Sequence, residues 1–152
     1  MKRRSIYLIC IIIAAITILS CHKNSFQTKP TIRIKDINTT EVPAPSGTLR
    51  ITLECTDKEG DEGGGDLTYI RVRTNSTPIP DPTNNDKADT AHAVVPAFPK
   101  TDQVDMDLEI PYSFLDEDPG RNDTMYFKIT LRDSGGNQSD TITTKSIVAK
   151  QF

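Results

Sequence analysis

The chain has 152 residues, enough for one domain and a short extension, with 18 basic against 21 acidic side chains and a net charge of −3. That acidic balance argues against a nucleic-acid footprint or a basic face for anionic membranes. Three cysteines, two histidines and no tryptophan leave little for a disulfide scaffold or a transition-metal site.

In chain order, Lys2, Arg3 and Arg4 precede an apolar run from Ile6 to Leu19. As a helix, that run would span roughly 21 Å at about 1.5 Å per residue. A bilayer core needs about 30 Å, so a signal-peptide core fits better than a membrane span. The run ends in Ile18-Leu19-Ser20-Cys21, which resembles the lipobox of bacterial lipoproteins. The resemblance implies cleavage before Cys21, lipid on its sulfur and anchorage to a membrane. Residues 1–20 are then a signal peptide, 21–30 a flexible polar tether and 31–152 the folded domain. Without the signal the charge balance becomes 15 against 21, a net −6, so attachment must come from the lipid. The His22-Lys23-Asn24-Ser25 stretch carries no acidic export cluster. The outer membrane or cell surface is the expected location, with the periplasmic face as the alternative. Cys10 leaves with the signal and Cys21 takes lipid, which leaves Cys55 alone and reads as a small buried hydrophobe.

The rest reads as strands. Ile32, Ile34 and Ile37 mark a strand over Thr31–Ile37, and Asn38–Gly47 is a loop with Pro43, Pro45 and Gly47. Thr48–Cys55 alternates cleanly, with Leu49, Ile51, Leu53 and Cys55 on one face. Leu67–Thr74 resumes as a strand, with Tyr69 expected on its outward face beside Tyr126. Asn75–Asp89 is a long polar excursion expected to serve as a contact region. Ala91–Phe98, broken by Pro96, suits a sheet edge. Gln103–Ile110 alternates again, Pro111–Leu115 is a single helical turn, and Asp116–Asp123 is an acidic turn of solvated carboxylates. Met125, Phe127, Ile129 and Leu131 line one face of a strand that turns at Asp133-Ser134-Gly135-Gly136-Asn137 and returns over Ser139–Val148. About seven short strands and no sustained helical periodicity predict an all-β fold, an immunoglobulin-like antiparallel β-sandwich. The strand order and the Asp-x-x-Gly-Asn turn before the last strand resemble that family, over roughly residues 31–150. The Cys–Trp–Cys signature of antibody domains is missing, which leaves the looser bacterial, cadherin-like and fibronectin-like groups.

Between the second and third of these strands lies Asp57-Lys58-Glu59-Gly60-Asp61-Glu62-Gly63-Gly64-Gly65-Asp66, five carboxylates and four glycines in ten residues. Calcium takes six to eight oxygens, often from carboxylates spaced two apart in an irregular loop. Asp57, Glu59 and Asp61 have that spacing and Asp66 closes the loop. The turn resembles the acidic turns of cadherin-like domains, while Thr68 stands where an EF-hand would place its bidentate Glu. In an immunoglobulin-like topology the loop shares one end with Asp133 and Asn137, so Asp133 joins the expected Ca²⁺ ligands and Asn137 is a further candidate. The bland alternative is a solvated glycine-rich connection whose charges are screened by salt.

Asp89-Thr90-Ala91, Asp123-Thr124-Met125 and Asp140-Thr141-Ile142 look like an O-glycosylation acceptor pattern of some exported bacterial proteins, a short pattern that arises easily by chance; Thr90, expected in the long loop, is the one to be tested. No nucleophile elbow, Cys/His pair, His-Glu-x-x-His or phosphate loop is present. Asp116, Glu117 and Asp118 are candidates for an acid/base pair. The expectation is a non-catalytic, lipid-anchored envelope module serving adhesion, scaffolding or an accessory role, with an envelope protein or glycan as partner. The alternative is a glycan- or peptide-binding accessory lipoprotein of a nutrient-uptake system.

Overall fold

The computed structural model describes residues 29–77 and 89–151. The expected signal peptide, Cys21, most of the expected tether and most of the 75–89 excursion lie outside the described residues.

Among the described residues, nine strands and one helical turn follow in order: β1 (Thr31–Ile37), β2 (Glu41–Pro43), β3 (Thr48–Thr56), β4 (Asp66–Arg73), β5 (Thr90–Val94), β6 (Gln103–Pro111), α1 (Tyr112–Leu115), β7 (Asp123–Arg132), β8 (Ile142–Thr143) and β9 (Ile147–Lys150). They form a sandwich of two sheets, one ordered β1-β3-β6 and the other β2-β9-β7-β4-β5, with β8 also on β7. β2 runs parallel to β9, and the remaining ladders are antiparallel. The chain is therefore all-β, as the alternation predicts, and the grouping β1-β3-β6 against β9-β7-β4 follows the A-B-E and G-F-C grouping of immunoglobulin-like sandwiches.

Period-two alternation decides what is inside. Leu49, Ile51, Leu53 and Cys55 of β3 meet Met125, Phe127, Ile129 and Leu131 of β7 in the core, closed by Leu108, Ile110, Leu115, Ile147 and Ala149. Burying one such side chain contributes about 1.5–3 kcal/mol. Burial pushes the Cys55 thiol up to about 12, with the Glu62 charge second, which makes it an inert core residue. The outer face of the smaller sheet is laced by cross-strand pairs: Arg33 with Glu54, Lys35 with Asp105, and Arg50 with Glu109.

Four expectations change. The 38–47 loop contains β2, whose Val42 is fully buried. The return over 139–148 is two short strands rather than one. The interruptions have a cause: Ser139 Oγ accepts the Leu131 N–H at 2.9 Å and Thr144 Oγ1 accepts the Phe127 N–H at 3.0 Å, so hydroxyls replace ladder carbonyls there. Thr90 opens β5 instead of sitting in the excursion, though it is exposed. Tyr69 points inward, not outward. It pairs with Ile129 across the ladder and its ring centroid lies 5.6 Å from Phe114 and 6.4 Å from Phe127. Tyr126 faces the other way, opposite Val72, so the two tyrosines form no common patch. β5 does lie at a sheet edge.

Candidate metal centre

The inward series of two strands runs past the end of the apolar core and finishes in carboxylates. On β3, positions 49, 51, 53 and 55 are apolar and buried; the next inward position is Asp57, 4% exposed. On β7, positions 125, 127, 129 and 131 are apolar and buried; the next is Asp133, also 4% exposed. Strand parity thus turns both side chains into the same end of the sandwich. Asp61 joins them from the 57–66 loop. One carboxylate oxygen each from Asp57, Asp61 and Asp133 lie within 4.8 Å of one another.

Hydrogen bonds fix the two loops to each other. The Asp61 carbonyl accepts the Ser134 N–H at 3.0 Å and the Ser134 hydroxyl at 2.9 Å. Asp57 Oδ1 accepts the Glu59 N–H at 3.1 Å, a local turn that fixes the carboxylate at the end of the strand. Asp133 Oδ1 accepts the Asn137 N–H at 2.7 Å, and its Oδ2 accepts Asn137 Nδ2 at 3.1 Å. Asn137 therefore serves as a brace for Asp133. Glycines permit the path: Gly60 and Gly64 take φ of 62° and 80°, the region L-residues avoid. At Gly65 a Cβ would collide with the Arg132 carbonyl and sit 2.8 Å from that of Glu62.

The electrostatics of this end are unbalanced. Asp57 Oδ2, Asp61 Oδ1 and both carboxylate oxygens of Glu62 are buried without a hydrogen-bond partner. Among the described residues no lysine, arginine or histidine forms an ion pair with Asp57, Asp61, Glu62 or Asp133; Lys58 is exposed. Burial, then the nearby Asp61 and Asp133, push the Asp57 carboxyl above its ordinary range, against the Glu59 N–H that lowers it. Burial also raises Glu62, with Asp57, Asp61 and Asp133 adding to it and its own N–H opposing. Carboxylates held together without a counter-ion destabilise one another, and a hard divalent cation is the natural partner of such an oxygen set.

Of the five expected ligands, Asp57, Asp61 and Asp133 come together. Glu59 contributes its N–H to Asp57 and its carboxylate lies outside the group. Asp66 also lies outside it. Its Oδ2 is 2.9 Å from His92 Nδ1 and 3.0 Å from Thr68 Oγ1, and the His92 hydrogen bond holds it below the ordinary carboxylate range. His92 lies 26 residues from Asp66 in the chain; strand pairing of β4 with β5 sets Thr68 opposite His92 and so delivers it to Asp66. Glu62, fully buried, is not among the expected ligands. Its signal was its place beside the three consecutive glycines that draw the chain back onto the sandwich.

A second charged cluster occupies the other end. Arg71 and Arg73 take the inward positions of β4 after Leu67 and Tyr69. Arg71, fully buried, pairs with Glu117, donates to the Phe114 carbonyl, reaches Asp89 Oδ1 at 3.2 Å and stacks 4.9 Å over the Phe114 ring. Arg73 pairs with Asp123 and lies 3.2 Å from Glu117. Asp123 Oδ2 accepts the N–H groups of Glu117 and Asp118 at 2.7 and 2.9 Å. The 116–123 turn is therefore built on buried ion pairs rather than solvated carboxylates, because inward arginines demand counter-charges there. No protein-family model matches the chain, and a search of curated proteins finds none similar to it.

Proposed function

We propose that the protein is a lipid-anchored, non-catalytic β-sandwich module of the cell envelope whose Asp57, Asp61 and Asp133 carboxylates bind calcium. The observation that carries the metal reading is the convergence of three carboxylates from two loops, with buried oxygens on Asp57 and Asp61 that no N–H or hydroxyl group reaches. Calcium suits it better than magnesium, since loop-borne carboxylates of unequal burial accommodate its variable coordination more readily than a strict octahedron. An ion there would join the β3–β4 loop to the turn after β7, and so bridge the two sheets at one end. Anchorage rests on Ile18-Leu19-Ser20-Cys21, and the outer membrane or cell surface is the location it implies. Adhesion, scaffolding or an accessory role with an envelope protein or glycan is the reading that goes with a rigid, tethered sandwich.

The alternative, a glycan- or peptide-binding lipoprotein of an uptake system, relies on exposed rings for stacking. Among the described residues every phenylalanine and tyrosine is buried or half-buried, which favours the module. The test is thermal unfolding in calcium and in excess EDTA. An ion bound only to the folded state stabilises by about 2.7 kcal/mol at a hundredfold excess over Kd, several degrees for a domain this size. Asp57→Ala and Asp133→Ala should abolish the rise. Superimposed wild-type curves at millimolar calcium would reduce the loop to a solvated turn.

A further inference from the structure

Among the described residues, Glu62 has both its carboxylate oxygens buried without a hydrogen-bond partner. Its side chain is fully buried. Buried polar groups are almost always satisfied, and an orphan in a native fold calls for an explanation such as a bound ion. An isolated buried carboxylate is among the costliest groups a protein can hold. Exposure to bulk solvent does not explain it, since the side chain is fully buried. The groups whose charge it feels are Asp57, Asp61 and Asp133, the three residues of the candidate centre, and it directly follows Asp61 in the chain. The Glu62 carbonyl is itself fixed, accepting the Gly65 N–H at 3.0 Å, so the residue is held at the base of the loop.

We propose that Glu62 is the fourth carboxylate ligand of the calcium site, an inference that rests on the calcium reading above. Its carboxylate stands outside the 4.8 Å group formed by the other three, so ligation entails a rotation of its side chain toward them. The backbone around it stays as it is: the loop is already tied down through Ser134 to the Asp61 carbonyl and through Val95 to Gly64 and Gly65. Four carboxylates would place the site at the tighter end of calcium affinities, because affinity follows ligand charge and site rigidity. Glutamate has the longer reach and can offer both oxygens, which shorter aspartates on fixed strand ends do less readily.

The experiment is calorimetric titration of the intact protein with calcium chloride, on the wild type and on Glu62→Gln, Glu59→Gln and Asp57→Asn. Glu62→Gln keeps the size and removes the charge, and should weaken calcium binding at least about tenfold. Glu59→Gln removes the same charge from the same loop, at a carboxylate outside the group, and should change affinity by less than about threefold. Thermal melts in EDTA supply a second readout. There Glu62→Gln should unfold at or above the wild-type temperature, since it removes an uncompensated buried charge, whereas its melt should gain less from calcium. Equal affinities for Glu62→Gln and wild type would overturn the assignment and leave a three-carboxylate site standing. So would equal weakening by Glu62→Gln and Glu59→Gln, which would mean only a general loss of charge. If the wild type binds no calcium, the site itself falls and this ligand with it.

Discussion

One residue and one ion pair carry charge where the core should be apolar, and each predicts a measurable response. Asp57 has a folded-state pKa above its unfolded value. In the window between the two values the folded state holds more proton than the unfolded state, so stability falls as pH rises through it. Below the unfolded value this unfavourable contribution is absent, and above the folded value it is complete. In EDTA, acidifying from neutral into that window should therefore relieve strain at Asp57 instead of adding to it, and Asp57→Asn should flatten this part of the curve. Calcium should reverse the sign, because it favours the ionised carboxylate. Urea unfolding against pH, with and without calcium, measures both; curves of the same slope in the two conditions would refute it. At the opposite end, Arg71 and Glu117 are buried together, with side chains 0% and 4% exposed. Removing one partner of a buried pair typically costs about 3–5 kcal/mol, while replacing both with apolar groups can be close to neutral. Glu117→Ala should lose about that much in chemical denaturation, and Arg71→Met with Glu117→Leu should recover most of it. If the double variant is as unstable as the single, the pair is net stabilising and the cluster was read wrongly.

Elements repeat the lesson that parity persists past the point where composition changes. The apolar positions of β3 and β7 were legible as alternation, and so the core was. What alternation does not announce is that Asp57 and Asp133 continue the same inward series, or that Arg71 and Arg73 do so on β4 after Leu67 and Tyr69. A reading that assigns charged residues to the outside flips the phase of β4 and moves Tyr69 to the wrong face. Ile70, 38% exposed, is the counterpart of that error. Likewise Asp66 was legible as an acid of the loop but not as a partner of His92, which depends on the register between β4 and β5. The glycine run has position-specific meaning too. Gly64 meets nothing within 4 Å but has φ of 80°, so Gly64→Ala should cost about 1–2 kcal/mol, from backbone conformation alone. Gly65 lies against the Arg132 and Glu62 carbonyls, both backbone. Gly65→Ala should cost more than Gly64→Ala and also displace Asp133, lowering calcium affinity, which Gly64→Ala should leave nearly unchanged. A calcium titration of the two variants beside their melting temperatures separates the effects.

At the scale of the whole molecule the sandwich has an apolar middle and two charged ends of different character. One end is self-neutralising: Arg71, Arg73 and Arg121 meet Glu117, Asp123 and Asp118. The other holds Asp57, Asp61, Glu62 and Asp133 with no basic partner among the described residues. The two ends should therefore respond differently to calcium. An ion at the acidic end replaces mutual repulsion by attraction and ties the 57–66 loop to the 133–137 turn, so amide exchange in those segments should slow. Local opening governs exchange in loops, and only interactions lost in the opened state alter it. Amides of the arginine end, such as those of Glu117 and Asp118 bonded to Asp123 Oδ2, open without disturbing the acidic end. Their exchange should be unchanged by calcium except where it proceeds through global unfolding. Hydrogen-exchange mass spectrometry of the intact protein in calcium and in EDTA reads all of these at once. Slowing confined to the 57–66 and 133–137 segments, plus the slowest core amides of β3 and β7, supports an ion that acts as a staple at one end. Slowing spread evenly over both ends would mean that calcium acts through general screening of a net-acidic chain, and the acidic end would then be no more than the most crowded part of its surface.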